Sequence, residues 1–193
     1  MLDKRNIGCP GSPWQAYQAV RKSVRKVLEG KNPGVVSHDD HGDWYREMFG
    51  PSVTAGLLRT ADLAGYRNDQ VYIHRSMHVP PRYEAVRECM PAFFDLLKEE
   101  PEPSVRVVLG HFVFVYIHPY MDGNGRIGRF LMNVMLVAGG YPWTVIPLEK
   151  RDDYMDALES GSVEQDIEPL AIFLRRLVSE NLKHKQVPQA PII

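Results

Sequence analysis

Twelve residues, His118-Pro119-Tyr120-Met121-Asp122-Gly123-Asn124-Gly125-Arg126-Ile127-Gly128-Arg129, constrain the rest of the chain. Just upstream lies its most apolar run, Val105 to Ile117. Just downstream lies a second apolar stretch, Phe130 to Ala138, with residues 127, 130/131, 134 and 138 at helical spacing. The β-branched residues of the first run favour a strand by propensity, but its length without a turn signal predicts a buried central helix. Between the two runs stand one imidazole, one carboxylate, two guanidiniums, one amide and three glycines. Such a cluster is costly near a core unless it binds something, so the segment reads as an active site.

Its parts have separable chemistry. Gly123-Asn124-Gly125 can turn successive N–H groups toward an anion, and a helix starting near Gly125 adds partial positive charge at the same place. Arg126 and Arg129, at i and i+3, reach one polyphosphate from one side. Asp122 would repel phosphate unless a Mg²⁺ bridges the two. His118 follows the end of the preceding helix, where carbonyls favour the imidazolium formed by a general base. Gly123-x-Gly125-x-x-Gly128 also matches the dinucleotide fingerprint. That reading fails because five residues separate the apolar run from the first glycine, and only helical patterns follow Glu149.

The remaining chain predicts mostly helices. Ser12 as N-cap and Pro13 at N1 open a helix to about Glu29, stopped by Gly30, with Arg21, Lys22, Arg25 and Lys26 as its solvated face. Lys31 to His38 reads as a loop around the turn residues Asn32-Pro33-Gly34. His38-Asp39-Asp40-His41-Gly42-Asp43 resembles a metal-ligand cluster but reads as a polar loop, with Asp43 capping a short helix to Phe49 before Gly50-Pro51. A helix from Val53 to Ala64 follows. Val71 to His74 and Met77 to Val79 alternate and predict the one hairpin. Helices are expected over 82–99, with Pro91 as a kink, and over 151–159 and 166–185; residues 141–148 read as extended and the tail from Gln186 as loose. A 44% hydrophobic content supports one real core, and the net charge of −1 gives no global field for nucleic acid or membrane. The two cysteines, Cys9 and Cys89, match no metal or redox spacing. No apolar run has the length of a membrane span and the first residues lack a signal peptide's apolar segment, so a soluble cytoplasmic protein is expected.

The twelve residues closely resemble the motif of the Fic (filamentation induced by cAMP) family, His-x-Phe-x-Asp/Glu-Gly-Asn-Gly-Arg-x-x-Arg, with Tyr120 at the Phe position. The resemblance extends from Gly65-Tyr66-Arg67 and the hairpin, through Pro80-Pro81, to Arg151-x-x-Tyr154 and the last helix. It implies an all-α fold, a Fic-like helical bundle with a small β-hairpin flap: residues 1–60 as a helical segment packed on the core, 61–185 as the Fic domain and 186–193 as a tail.

The resemblance further implies a protein adenylyltransferase. Such an enzyme moves AMP from ATP to a Tyr, Thr or Ser hydroxyl of a target protein and releases pyrophosphate. By position, His118 would be the base and Asp122 would hold Mg²⁺. Gly123, Asn124 and Gly125, with Ile127 and Gly128 behind them, would receive the α-phosphate, and Arg126 and Arg129 the β- and γ-phosphates. The flap, Val71, Tyr72, Ile73 and His74, would register the target and cover the nucleotide. Tyr154 matches a position near the adenosine, and reads equally well as a core tyrosine on an amphipathic helix. Many relatives are inhibited by a Glu in Ser/Thr-x-x-x-Glu-Gly/Asn. Glu29-Gly30 and Glu180-Asn181 come close, with Arg25 and Arg176 in the Ser/Thr place, and a separate antitoxin chain is the other route to control. The competing readings are a nucleotide-binding module without turnover, and a Fic enzyme using another nucleotide or a phosphocholine donor.

Overall fold

A computed structural model describes residues 13–184. Seven helices account for most of them: α1 (Pro13–Leu28), α2 (Pro33–Thr54), α3 (Tyr83–Glu99), α4 (Pro103–Ile117), α5 (Asn124–Ala138), α6 (Arg151–Glu159) and α7 (Glu168–His184). Helices α2, α3, α4 and α5 pack in a ring, each against the next; α1 closes over α2 and α5, and α6 with α7 sits against α4. The core inside the ring includes Trp44, Met48, Met90, Phe94, Phe114, Ile127, Leu131 and Met135, all fully or nearly fully buried. No helix among the described residues is long and apolar enough to cross a membrane.

Expectations for α1, α3, α4, α5, α6 and α7 agree with these bounds to within a few residues, although the Ser12 cap lies outside the described residues. Gly30, at φ +89°, ends α1 as expected. The largest correction is α2. Asn32-Pro33-Gly34 is a helix start rather than a turn: the Asn32 side chain accepts from the N–H groups of Gly34 (2.9 Å) and Val35 (3.1 Å), and Pro33 occupies the first turn. Gly34 is required there, because a Cβ would lie 2.5 Å from the backbone nitrogen of Lys98 at the end of α3.

The polar run His38 to Asp43 is accordingly helical, and its side chains diverge. Asp40 faces α1, accepting from Ser23 (2.7 Å) and pairing with Lys26 (2.7 Å), while Trp44 donates to the same Ser23 hydroxyl (3.0 Å). His41 turns inward and bonds Tyr66. No group of three potential metal-ligating side chains occurs among the described residues. The expected stop at Gly50-Pro51 does not occur: α2 carries Pro51 inside it and runs on to Thr54, and the expected helix over 53–64 is replaced by a turn at Gly56 (φ +72°) and a 3₁₀ turn, Thr60–Leu63.

The expected hairpin does not form. Residues 71–74 and 77–80 alternate between covered and exposed, which is the pattern seen in the sequence, but no strand is present among the described residues. The chain reverses at Arg75 (φ +61°), and the limbs are joined by side chains, with Gln70 donating to the Pro80 carbonyl (3.0 Å), instead of by a main-chain ladder. An isolated two-stranded ladder is marginal, and this loop is held without one.

Candidate active site

His118 caps the C-terminus of α4 in the left-handed conformation (φ 53°, ψ 59°). Its N–H donates to Phe114 O (3.1 Å) and its ring Nδ1 lies 3.1 Å from Val115 O. A carbonyl can only accept, so Nδ1 carries the proton and Nε2 keeps its lone pair. Burial pushes the imidazole pKa below its ordinary value, the Val115 bond opposes this, Arg67 and His78 push it lower and Asp122 raises it. The geometry describes a neutral imidazole with one basic nitrogen left over.

Five residues on, Gly123 caps the N-terminus of α5 at φ +80°. A Cβ there would stand 2.8 Å from the Phe49 ring, so both conformation and space demand glycine. The N–H groups of Arg126 and Ile127 turn back onto Gly123 O, leaving those of Asn124 and Gly125 as the first-turn donors that α5 does not itself engage. Asn124 contributes its main chain only. Its side chain, 1% exposed, clasps the backbone of Tyr120 through Oδ1 (2.8 Å from Tyr120 N) and Nδ2 (2.8 Å from Tyr120 O). Tyr120 itself is buried, stacked on Tyr45 with centroids 3.9 Å apart, so the aromatic anchor is kept.

Asp122 accepts from Gly123 N (2.6 Å) and approaches Arg126 (3.4 Å), whose guanidinium lies 5.1 Å from the Phe49 ring centroid. One exposed carboxylate beside a row of N–H donors suits a Mg²⁺ that takes its other ligands from phosphates and water, the habit of this ion. Ile127 is fully buried and Gly128 abuts Val115 and His111, so these two expected site positions serve the packing of α5 on α4.

Arg129 leads into a buried chain of groups outside the motif. Its charge acts on the Tyr154 hydroxyl, which lies 2.8 Å from His111 Nε2, and His111 Nδ1 lies 3.0 Å from Gly128 O. The Gly128 carbonyl fixes the proton on Nδ1, so Tyr154 donates to Nε2. Burial holds the His111 pKa down at about 4 and pushes the Tyr154 hydroxyl up to about 12. Tyr154, 4% exposed, therefore lies behind Arg129 with its hydroxyl already committed.

Of the loop residues, Tyr72 and His74 point outward while Val71 and Ile73 are half-buried. The loop tip is fastened to α6: Ser76 Oγ and Met77 N (2.6 Å) both donate to Glu159, and His78 Nε2 donates to Tyr116 O (2.9 Å). At its root Arg67 bonds the main chain of His118. Sequence reasoning did not single out His111, Glu159 or Arg67 for the site. Arg67 entered only within the Gly65-Tyr66-Arg67 part of the resemblance, and His111 left a signal as the polar residue within the apolar stretch 107–115.

A helical ring thus sets the His118 imidazole close in sequence to a glycine-capped, arginine-bearing helix start. Comparison with known proteins gives it a family: the Fic/DOC family profile matches residues 36–136, which span α2 to α5. The chain belongs to that family. It is 40% identical to the Nematostella vectensis protein adenylyltransferase Fic over 165 residues, covering 83% of this chain and 36% of that protein. It is 30% identical to the Caenorhabditis elegans protein adenylyltransferase fic-1 over 155 residues, covering 77% and 28%. The chain thus spans about a third of the length of these curated relatives. Among solved structures, C. elegans Fic-1 superposes with a TM-score of 0.73 at 23% identity, covering 89% of this chain and 49% of that one. A Fic-domain signalling protein from Bacteroides thetaiotaomicron superposes at 0.67 and 19%, covering 88% and 70%; both show a shared fold.

Proposed function

We propose that this chain is the catalytic part of a protein adenylyltransferase, which moves AMP from ATP to a Tyr, Thr or Ser hydroxyl of a target protein. The observation that carries this reading is His118 Nε2, a lone pair of a largely buried, neutral imidazole next to the anion-receiving start of α5. The target hydroxyl gives its proton to Nε2 as its oxygen attacks the α-phosphorus. The bond from that phosphorus to the bridging oxygen of the β-phosphate breaks, and pyrophosphate leaves. The N–H groups of Asn124 and Gly125 meet the charge that grows on the α-phosphate, and Arg126 and Arg129 hold the β- and γ-phosphates. A Mg²⁺ held by Asp122 and the phosphates would neutralise part of their charge. The exposed Tyr72 and His74 side of the loop offers an extended edge for the target chain.

The names of the relatives support this reading, as does the requirement for a base, which simple nucleotide binding does not have. Control by a glutamate of this chain or by a separate antitoxin chain belongs to the same proposal. Glu180 pairs with Lys150 at 2.6 Å, and Glu29 ends α1.

The test is incubation with α-labelled ATP and Mg²⁺, alone and with lysate. Covalent label on protein that disappears in His118→Ala is expected. Label that persists in that variant would sink the assigned base. Nucleotide binding without label, in Glu29→Gly/Glu180→Gly as well, would favour a binding module, and stronger labelling from another nucleotide or a phosphocholine donor would reassign the substrate.

A further inference from the structure

Arg67 lies outside the twelve-residue motif and is 2% exposed, which is unusual for a permanently charged side chain. No described ion pair includes it. Its partners are three main-chain carbonyls: Nε donates to His118 O (2.8 Å), Nη1 to Asp69 O (3.1 Å) and Nη2 to Pro81 O. Its own N–H donates to Pro119 O (2.8 Å). Burying a guanidinium against neutral acceptors is costly, and its planar fork spreads rigid donors toward carbonyls too far apart for the single nitrogen of a lysine.

Those carbonyls come from three places with one thing in common. Asp69 begins the loop over the site, Pro81 ends it, and His118 is the residue beneath it. His118 also occupies a left-handed conformation that costs a non-glycine residue free energy and persists only when its surroundings hold it. Three bonds do so: its N–H to Phe114, its ring Nδ1–H to Val115, and its carbonyl from Arg67. With the main chain and the ring both pinned, the direction of Nε2 is determined.

We propose that Arg67 is a positioning residue that locks His118 in its left-handed conformation and ties the aim of its ring to the seating of the 69–81 loop. A loop displaced by a target or a partner would loosen the base through the same guanidinium. The charge of Arg67 also acts on His118 directly, lowering its proton affinity alongside His78 and against Asp122. The inference rests on the reading of His118 as the base, and its test is built to separate the two.

Arg67→Lys and Arg67→Met are compared with the unaltered chain by ATP titration, steady-state labelling, thermal melting and NMR of ¹⁵N-histidine. A kcat lower by about tenfold to a hundredfold is expected from a misaimed base, with ATP affinity changed less than about twofold. The His118 ring signals should shift from the Nδ1–H form toward a mixture. Lysine should restore only part of the rate, because an ammonium cannot span the three carbonyls. Unchanged kcat and ring signals in either folded variant would overturn the proposal, as would a rate loss that merely tracks the folded fraction. Should neither variant fold, the Arg67 Nε–H signal of the unaltered protein decides: slow solvent exchange agrees with the bond to His118, and fast exchange refutes it. Labelling that survives His118→Ala would remove the base reading, while the ring tautomer and the Arg67 signal would still report on the bond.

Discussion

At Gly123 two independent demands meet, a φ of +80° and a Phe49 ring 2.8 Å from where a Cβ would stand. Gly123→Ala should destabilise the fold by about 1–3 kcal/mol through backbone strain and contact, and weaken ATP binding by shifting the start of α5. Thermal melting with an ATP titration reads both effects. Tyr154 makes the complementary case, because its hydroxyl donates to His111 within the field of Arg129. Tyr154→Phe leaves a buried imidazole nitrogen without a donor, at a cost of about 1–3 kcal/mol. It also removes the hydroxyl dipole beside Arg129, so on the proposed function KM for ATP should rise more than kcat falls. A KM equal to that of the unaltered chain would show that Arg129 does not depend on this hydroxyl.

At the scale of elements, the 69–81 loop is organised by side-chain anchors. Glu159, at the end of α6, takes both Ser76 and Met77 at the loop tip, while Gln70 and Arg67 join its limbs. Glu159→Ala should release the tip without unfolding the ring. Amide exchange and protease nicking at residues 73–77 should rise, while global stability shifts by no more than about 0.5 kcal/mol, as expected of a change outside the core. A loss of global stability comparable to a core mutation would mean that the loop belongs to the cooperative unit. Helix α2 illustrates the reverse relation: the Asp40–Lys26–Ser23–Trp44 network fastens it to α1, so its polar run serves assembly.

At the scale of the molecule, three histidines among the described residues, His41, His111 and His118, have a pKa lowered chiefly by burial, and the first two are the more deeply covered. The pKa of His111 is held at about 4 and that of His41 is lowered, both chiefly by burial. Unfolding lets them titrate near their ordinary value of 6.5. Below that value the unfolded chain binds protons that the folded chain refuses, so their contribution is complete above 6.5 and is lost as pH falls below it, for His111 down to about 4. Each such histidine can cost up to about 1.4 kcal/mol per pH unit in that window. Urea midpoints should therefore fall between pH 7.5 and pH 5, and less steeply in His111→Gln. Equal slopes for the two proteins would remove His111 as a cause.

The sequence by itself determined the helix break and restart across residues 118–124 and most of the helices, because those signals are local. Apolar spacing, proline at helix starts and glycine at positive φ act within one turn of the chain. The same locality explains the errors. Asn32-Pro33-Gly34 carries the chemistry of both a turn and a helix start, and only the close approach of α3 to Gly34 decides between them. Residues 71–79 alternate as a strand does, yet pairing depends on what lies opposite, and Arg67, Gln70 and Glu159 supplied side-chain bonds instead. Tertiary structure alone decided that Arg67 reaches across 51 residues to His118, and that Tyr154 and His111, 43 residues apart, back Arg129. Those contacts join residues far apart in the chain and appear only once the helices have packed.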